Sequence, residues 1–189
     1  MRPYARYLIL GVVGVVAGLA GAIHVVRAGA LGSNVMIGPW ATGMDFGTAD
    51  QSARTRAVVA RRGLLALPAR EARYYTAATD DAGRSLDGRC SYRVTGGMLP
   101  GRWWSMTLYD GDGYLAGDGP YSIESAAIPA AEQGRWTVLV SPKQQAGHWL
   151  PTAGLGHFEL TVRTYLPPDE GRTNPARDQL PSIRREACA

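Results

Sequence analysis

The sequence predicts a mainly β protein with one N-terminal transmembrane helix and one amphipathic helix, and three observations carry that prediction. Residues 7–26, YLILGVVGVVAGLAGAIHVV, hold no charged side chain, and a run of about 20 apolar residues is enough for a helix to cross a bilayer core. Residues 50–67 place Ala53, Ala57, Val58, Ala60, Leu64 and Leu65 on one helical face, the pattern of an amphipathic helix. Beyond residue 71, short β-favouring runs are separated by Gly, Pro and Asp breaks and do not alternate with helices. That spacing belongs to a sandwich or a barrel.

The first segment, 1–30, reads as an uncleaved signal anchor. Arg2 and Arg6 precede the apolar run and Arg27 follows it, so the positive-inside rule places the rest of the chain outside the cytoplasm. A cleaved secretory signal is the competing reading, with Ala28-Gly29-Ala30 as the cleavage site, but its apolar region exceeds the usual length. Gly11, Gly14, Gly18 and Gly21 fall on one stripe of this helix. Such a stripe lets a second helix approach closely, and it predicts a homodimer or a membrane-protein partner in addition to membrane lipid.

Net charge is +4 with a pI near 9.3. The anchor supplies three of those positive charges through Arg2, Arg6 and Arg27, and the remaining residues are nearly neutral. No basic cluster with interleaved aromatics occurs, which argues against nucleic-acid binding.

Residues 31–70 form a linker and the amphipathic helix. Gly and small residues surround Met36, Ile37, Pro39, Trp40 and Phe46 in the linker. Asp50 is the expected N-cap and Pro68 the stop, and Arg54, Arg56, Arg61 and Arg62 lie on the solvated face.

The β-domain is expected over 71–168, with strands at 72–79, 89–95, 103–109, 121–125, 136–141 and 156–166. Its centre is RWWSMTLYDGDGYLAGDGPY, residues 102–121. Trp, Thr, Leu and Tyr favour a strand there, and the Asp-Gly pairs then reverse the chain. Pro167 and Pro168 end the sheet, and residues 169–189 are expected to lie along the surface as an extended tail. Cys90 and Cys188 are an even pair, hence a candidate disulfide in an oxidising compartment.

The stretches WWSMTLYDGDGYLAGDGPYSI, WTVLVS, HWLPT and FELTVRTYLP together resemble the bacterial domain-of-unknown-function family 1214 in its short, membrane-anchored form. That family carries W-S-(L/M)-T-x-Y-D, a W-(L/I)-P-(T/A) turn and a final (L/F)-x-L-T-x-R-x-Y strand. The resemblance implies an antiparallel, jelly-roll-like β-sandwich, here on the periplasmic side of a bacterial inner membrane. It implies no reaction, so it assigns no catalytic residue.

No calcium loop fits Asp110, Asp112 and Asp118, because Tyr114, Leu115 and Tyr121 stand where an EF-hand needs its oxygen ligand, Gly and Glu. His148 and His157 do not have a zinc spacing. No metal or cofactor is therefore expected, and no catalytic motif is present. Trp103 and Trp104 are adjacent on a strand and must face opposite sides of the sheet. One of them is therefore core, and the other, with Tyr109, His148 and Trp149, is the candidate floor of a groove for a glycan or a lipid headgroup.

The function these features predict is a membrane-anchored envelope protein whose β-domain is a non-catalytic binding or accessory module. Two alternatives stay open. One is an envelope enzyme acting on a cell-wall glycan or lipid, pairing Asp110 with His148 or His157 and with Glu124 or Glu159. The other is a structural subunit docked through the glycine stripe.

Overall fold

The computed structural model describes residues 3–28, 35–43, 47–61, 67–116 and 119–188. Helix α1, Pro3–Ala28, contains a 22-residue span, Tyr4–Val25, with a mean hydropathy of 2.3 and no side chain buried against the rest of the chain. It is long and apolar enough to cross a membrane.

Helix α2 is Ala53–Arg61 among the described residues, and it is started by a different residue than expected. Ser52, rather than Asp50, is the cap: its Oγ accepts from Thr55 N–H at 3.1 Å, the donor a capping oxygen must reach. Val58 and Thr55 are its buried residues; the expected face residues Leu64 and Leu65, like Arg62, Phe46 and Asp118, lie outside the described residues.

The strands form two sheets. The larger contains β1 (Val35–Ile37), β2 (Trp40–Thr42), β3 (Ala72–Ala77), β5 (Trp103–Asp110), β6 (Ser122–Glu124) and β9 (Phe158–Tyr165), in the order β1-β2-β3-β9-β5-β6. The smaller contains β4 (Cys90–Gly96), β7 (Trp136–Ser141), β8 (Trp149–Pro151) and β10 (Ser182–Cys188), in the order β10-β4-β7-β8. Pairing in the larger sheet is antiparallel throughout.

Three features depart from the sequence reading. The linker holds the β1–β2 hairpin, closed by Gly38 and Pro39 with Gly38 at φ 62°, a conformation that suits glycine at the first turn position. The Trp149-Leu150-Pro151 segment, expected as a turn, is a strand that pairs parallel to β7, so the smaller sheet is mixed and not wholly antiparallel. The C-terminal tail is β10, paired with β4 from Ser182↔Thr95 to Cys188↔Cys90. Only Ile183 of this strand reaches the core, which explains why its residues show no alternation.

One hydrophobic core joins the two sheets. Trp104, Met106, Leu108, Leu160 and Val162 of the larger sheet meet Tyr92, Val94, Trp136, Val138 and Ile183 of the smaller. Each fully buried large apolar side chain contributes about 1.5–3 kcal/mol relative to exposure. Trp104 stacks on Trp136 with centroids 4.6 Å apart, and Phe158 meets Tyr92 edge-on at 5.6 Å. Gly96 makes room for that layer, since a Cβ there would come within 2.2 Å of the Trp136 ring. Cys90 and Cys188 form the expected disulfide across 98 residues.

Candidate functional site

Side chains alternate along a strand, so each central strand of the larger sheet has an inner and an outer set. On β5 the inner set is Trp104, Met106 and Leu108, all in the core. The outer set is Trp103, Ser105, Thr107 and Tyr109. On β9 the outer set is Glu159, Thr161, Arg163 and Tyr165, and on β3 it is Ala72, Tyr74 and Thr76. The register then stacks them in rows. Ser105 lies opposite Arg163, which lies opposite Tyr74; Thr107 lies opposite Thr161, which lies opposite Thr76.

This polar face is covered. Ser105, Thr107, Thr161 and Thr76 are all buried, although they point away from the core. Val59 of α2 packs with Leu67 on the patch formed by Ala72, Tyr74 and Tyr165. Buried hydroxyls need partners, and several are present: Thr76 Oγ1 and Thr161 Oγ1 share a hydrogen bond of 3.0 Å, and Thr107 Oγ1 and Ser122 Oγ one of 3.2 Å.

Arg163 stands at the middle of the face. Its guanidinium donates to Thr107 Oγ1 at 3.0 Å and to the Tyr109 hydroxyl. It lies over two aromatic faces, 5.8 Å from the Tyr74 centroid and 5.6 Å from that of Tyr109. Among the described residues no carboxylate forms an ion pair with it. Burial holds the Tyr74 phenol above its ordinary value, and the Leu67 N–H and the charge of Arg163 act against that rise.

The aromatic groove expected from sequence divides between different surfaces. Trp103 is on the outer face, 4.7 Å from the Tyr165 ring, and Tyr109 is beside Arg163. Trp104 is in the core. His148 and Trp149 belong to the edge of the smaller sheet, where His148 Nε2 lies 3.5 Å from Glu132 and Trp149 Nε1 donates to Ser141 Oγ at 3.1 Å. Trp149 instead walls an apolar cavity of about 230 Å³ with Ala116, Pro120, Pro151 and Leu155. A second cavity, about 250 Å³, lies beside Arg73, Tyr75, Pro100 and Asn174.

The acid–histidine pairing is likewise not assembled. Asp110 Oδ1 accepts from the N–H groups of Asp112 and Tyr114, closing its own turn. His157 Nδ1 lies 3.4 Å from Leu86 O. At Gly11, Gly14, Gly18 and Gly21 a Cβ would meet no described neighbour within 4 Å. Among the described residues no group of three His, Cys, Asp or Glu side chains is placed to hold a metal ion.

The family model described as a protein of unknown function, DUF1214, matches residues 71–169. The chain belongs to the DUF1214 family. The three strands that build the polar face, β3, β5 and β9, lie inside the DUF1214 match. The family motif W-S-(L/M)-T-x-Y contributes Ser105, Thr107 and Tyr109, and L-T-x-R-x-Y contributes Thr161, Arg163 and Tyr165, so the polar letters of both motifs converge on one surface. Over 99% of its length the chain is similar to a crystal structure of a protein from Vibrio parahaemolyticus, at 21% identity and a TM-score of 0.57, and it spans 46% of that chain. A structure from Burkholderia cenocepacia matches 61% of the chain and 29% of its own length at 25% identity, with a TM-score of 0.43. No curated protein matches.

Proposed function

We propose that this DUF1214 protein is a single-pass membrane-anchored envelope protein whose extracytoplasmic β-domain is a non-catalytic binding module. Its ligand sits on the outer face of the six-stranded sheet. One observation carries the reading: Ser105, Thr107 and Thr161 are buried beside a half-buried Arg163 on a face that the hydrophobic core does not use. A face that only met solvent would leave those hydroxyls exposed, and a face that only packed would be apolar. Hydroxyls and a guanidinium hold a ligand by hydrogen bonds, and His148 and His157 make their contacts elsewhere.

The anchor is supported by the apolar span of α1 and the charge bias at its ends. The disulfide suits an oxidising compartment.

The test is native mass spectrometry of the protein purified in a mild detergent. A small molecule retained by the wild type and lost from a Ser105→Ala/Thr107→Val double variant supports the reading. Retention of the same molecule by both proteins, or of none by the wild type, sinks it.

A further inference from the structure

We infer that the outer face of the six-stranded sheet is a site for a phosphate group, gripped by Arg163 and Tyr109. The inference rests on the proposed binding face and adds the chemistry of its ligand.

A guanidinium has five N–H donors and a fixed positive charge. Arg163 uses donors on Thr107 Oγ1 and the Tyr109 hydroxyl. Both partners are neutral, and the rings of Tyr74 and Tyr109 supply only their quadrupoles. A half-buried cation with no carboxylate partner among the described residues is unusual, because taking a charge out of water is costly unless it is paired. The surrounding groups orient the guanidinium without neutralising it.

The hydrogen-bond directions specify the ligand further. The Tyr109 oxygen accepts from Arg163, so its own proton points elsewhere and is free to donate. With the three remaining guanidinium N–H groups, that makes four donors beside a fixed positive charge, a set that the two oxygens of a carboxylate can just fill. A phosphate presents more acceptor oxygens and pairs with an arginine fork through charge-assisted bonds.

Two sources of phosphate fit. Helix α2 packs on this face through Val59 and adjoins α1, so a lipid headgroup near the anchor is one source. A soluble phosphate ester is the other.

Full-length protein in an uncharged detergent is titrated with inorganic phosphate and followed by phosphorus NMR line broadening. The same protein is then placed in bicelles of phosphatidylcholine with or without phosphatidylglycerol. Saturable broadening that weakens by about tenfold or more in Arg163→Gln, and by less in Tyr109→Phe, supports the site. Tyr109→Phe keeps the ring over Arg163, so it tests the assignment even if Arg163→Gln fails to fold. An Arg163-dependent response to phosphatidylglycerol alone assigns the headgroup, and one to inorganic phosphate assigns the soluble ester. Broadening that is equal in wild type and both variants, or absent from both titrations, overturns the proposal. If a neutral molecule is still lost from the Ser105→Ala/Thr107→Val variant, the binding face survives and only the phosphate assignment falls.

Discussion

The indole Nε1 of Trp40 donates to the carbonyl oxygen of Pro181 at 2.7 Å, a buried bond between residues 141 apart. It ties the first hairpin of the larger sheet to the segment that leads into β10. Arg177 Nη1 reaches the same oxygen at 3.2 Å, so the carbonyl has two donors.

That second donor sets the size of the first prediction. Trp40→Phe keeps an aromatic ring and leaves the Pro181 carbonyl bonded to Arg177, so losing the hydrogen bond costs about 1 kcal/mol, on top of the volume lost from a fully buried indole. Adding Arg177→Ala removes the remaining donor, and the double variant loses more than the sum of the singles. Urea unfolding of the four proteins measures both quantities. Strict additivity would show that the two donors do not share the oxygen.

A second prediction concerns the disulfide. Cys90 and Cys188 close a loop of 98 residues, and such a bond contributes about 2–4 kcal/mol. Cys90→Ser/Cys188→Ser lowers the melting temperature accordingly. Hydrogen exchange accelerates first at the β10 amides, because Ile183 is the only residue of β10 buried in the core. Unchanged protection of those amides would mean that backbone pairing alone secures the strand.

Acid sensitivity follows from Asp80. Burial raises its carboxyl pKa, but the N–H groups of Arg84 and Ala82 and the Arg84 guanidinium outweigh that, so the net shift is downward from 3.8. Arg84 forms an ion pair with it at 2.8 Å. A lowered folded-state pKa contributes stability fully present above the unfolded value and lost as pH falls through the folded one. The wild type therefore loses stability below about pH 5. Asp80→Asn is less stable at neutral pH by about 1–3 kcal/mol and flatter in that acid window. Denaturant midpoints at neutral pH and at successively lower pH decide it, and parallel slopes for the two proteins would place the acid sensitivity elsewhere.

The glycine stripe permits a clean test of association. No described atom lies within 4 Å of a Cβ added at Gly14 or Gly18, so Gly14→Leu/Gly18→Leu leaves the melting of the β-domain unchanged. Close helix pairing through small residues would not tolerate those side chains. Cross-linking in membranes is expected to fall in the variant. If it does not, α1 serves as a tether alone.

Much of the sheet was legible in sequence, and the reasons differ from strand to strand. β7 falls at 136–141 as expected because Trp136, Val138 and Val140 alternate into the core. β5 was legible through its β-favouring composition and the Asp-Gly turn after it. β1 and β2 have only three residues each, too few for a pattern. The Arg163 face was missed for another reason. Ser105, Thr107, Thr161 and Arg163 sit at alternate positions and match no catalytic or ligand-binding motif. Only the register across β3, β9 and β5 shows them adjacent, and only the folded structure shows the three hydroxyls buried. The usable signal was the equal two-residue spacing of S-x-T-x-Y and T-x-R-x-Y in strands of one sheet.

The strand order also governs when the domain can form. β9 is the sole link between β1-β2-β3 and β5-β6, and β4 lies between β7 and β10. β9 and β10 are the last described strands to be synthesised, so β3 and β5 wait for the partner they share and β4 for its second neighbour. On the proposed export route, neither sheet is complete until nearly all of the polypeptide has crossed.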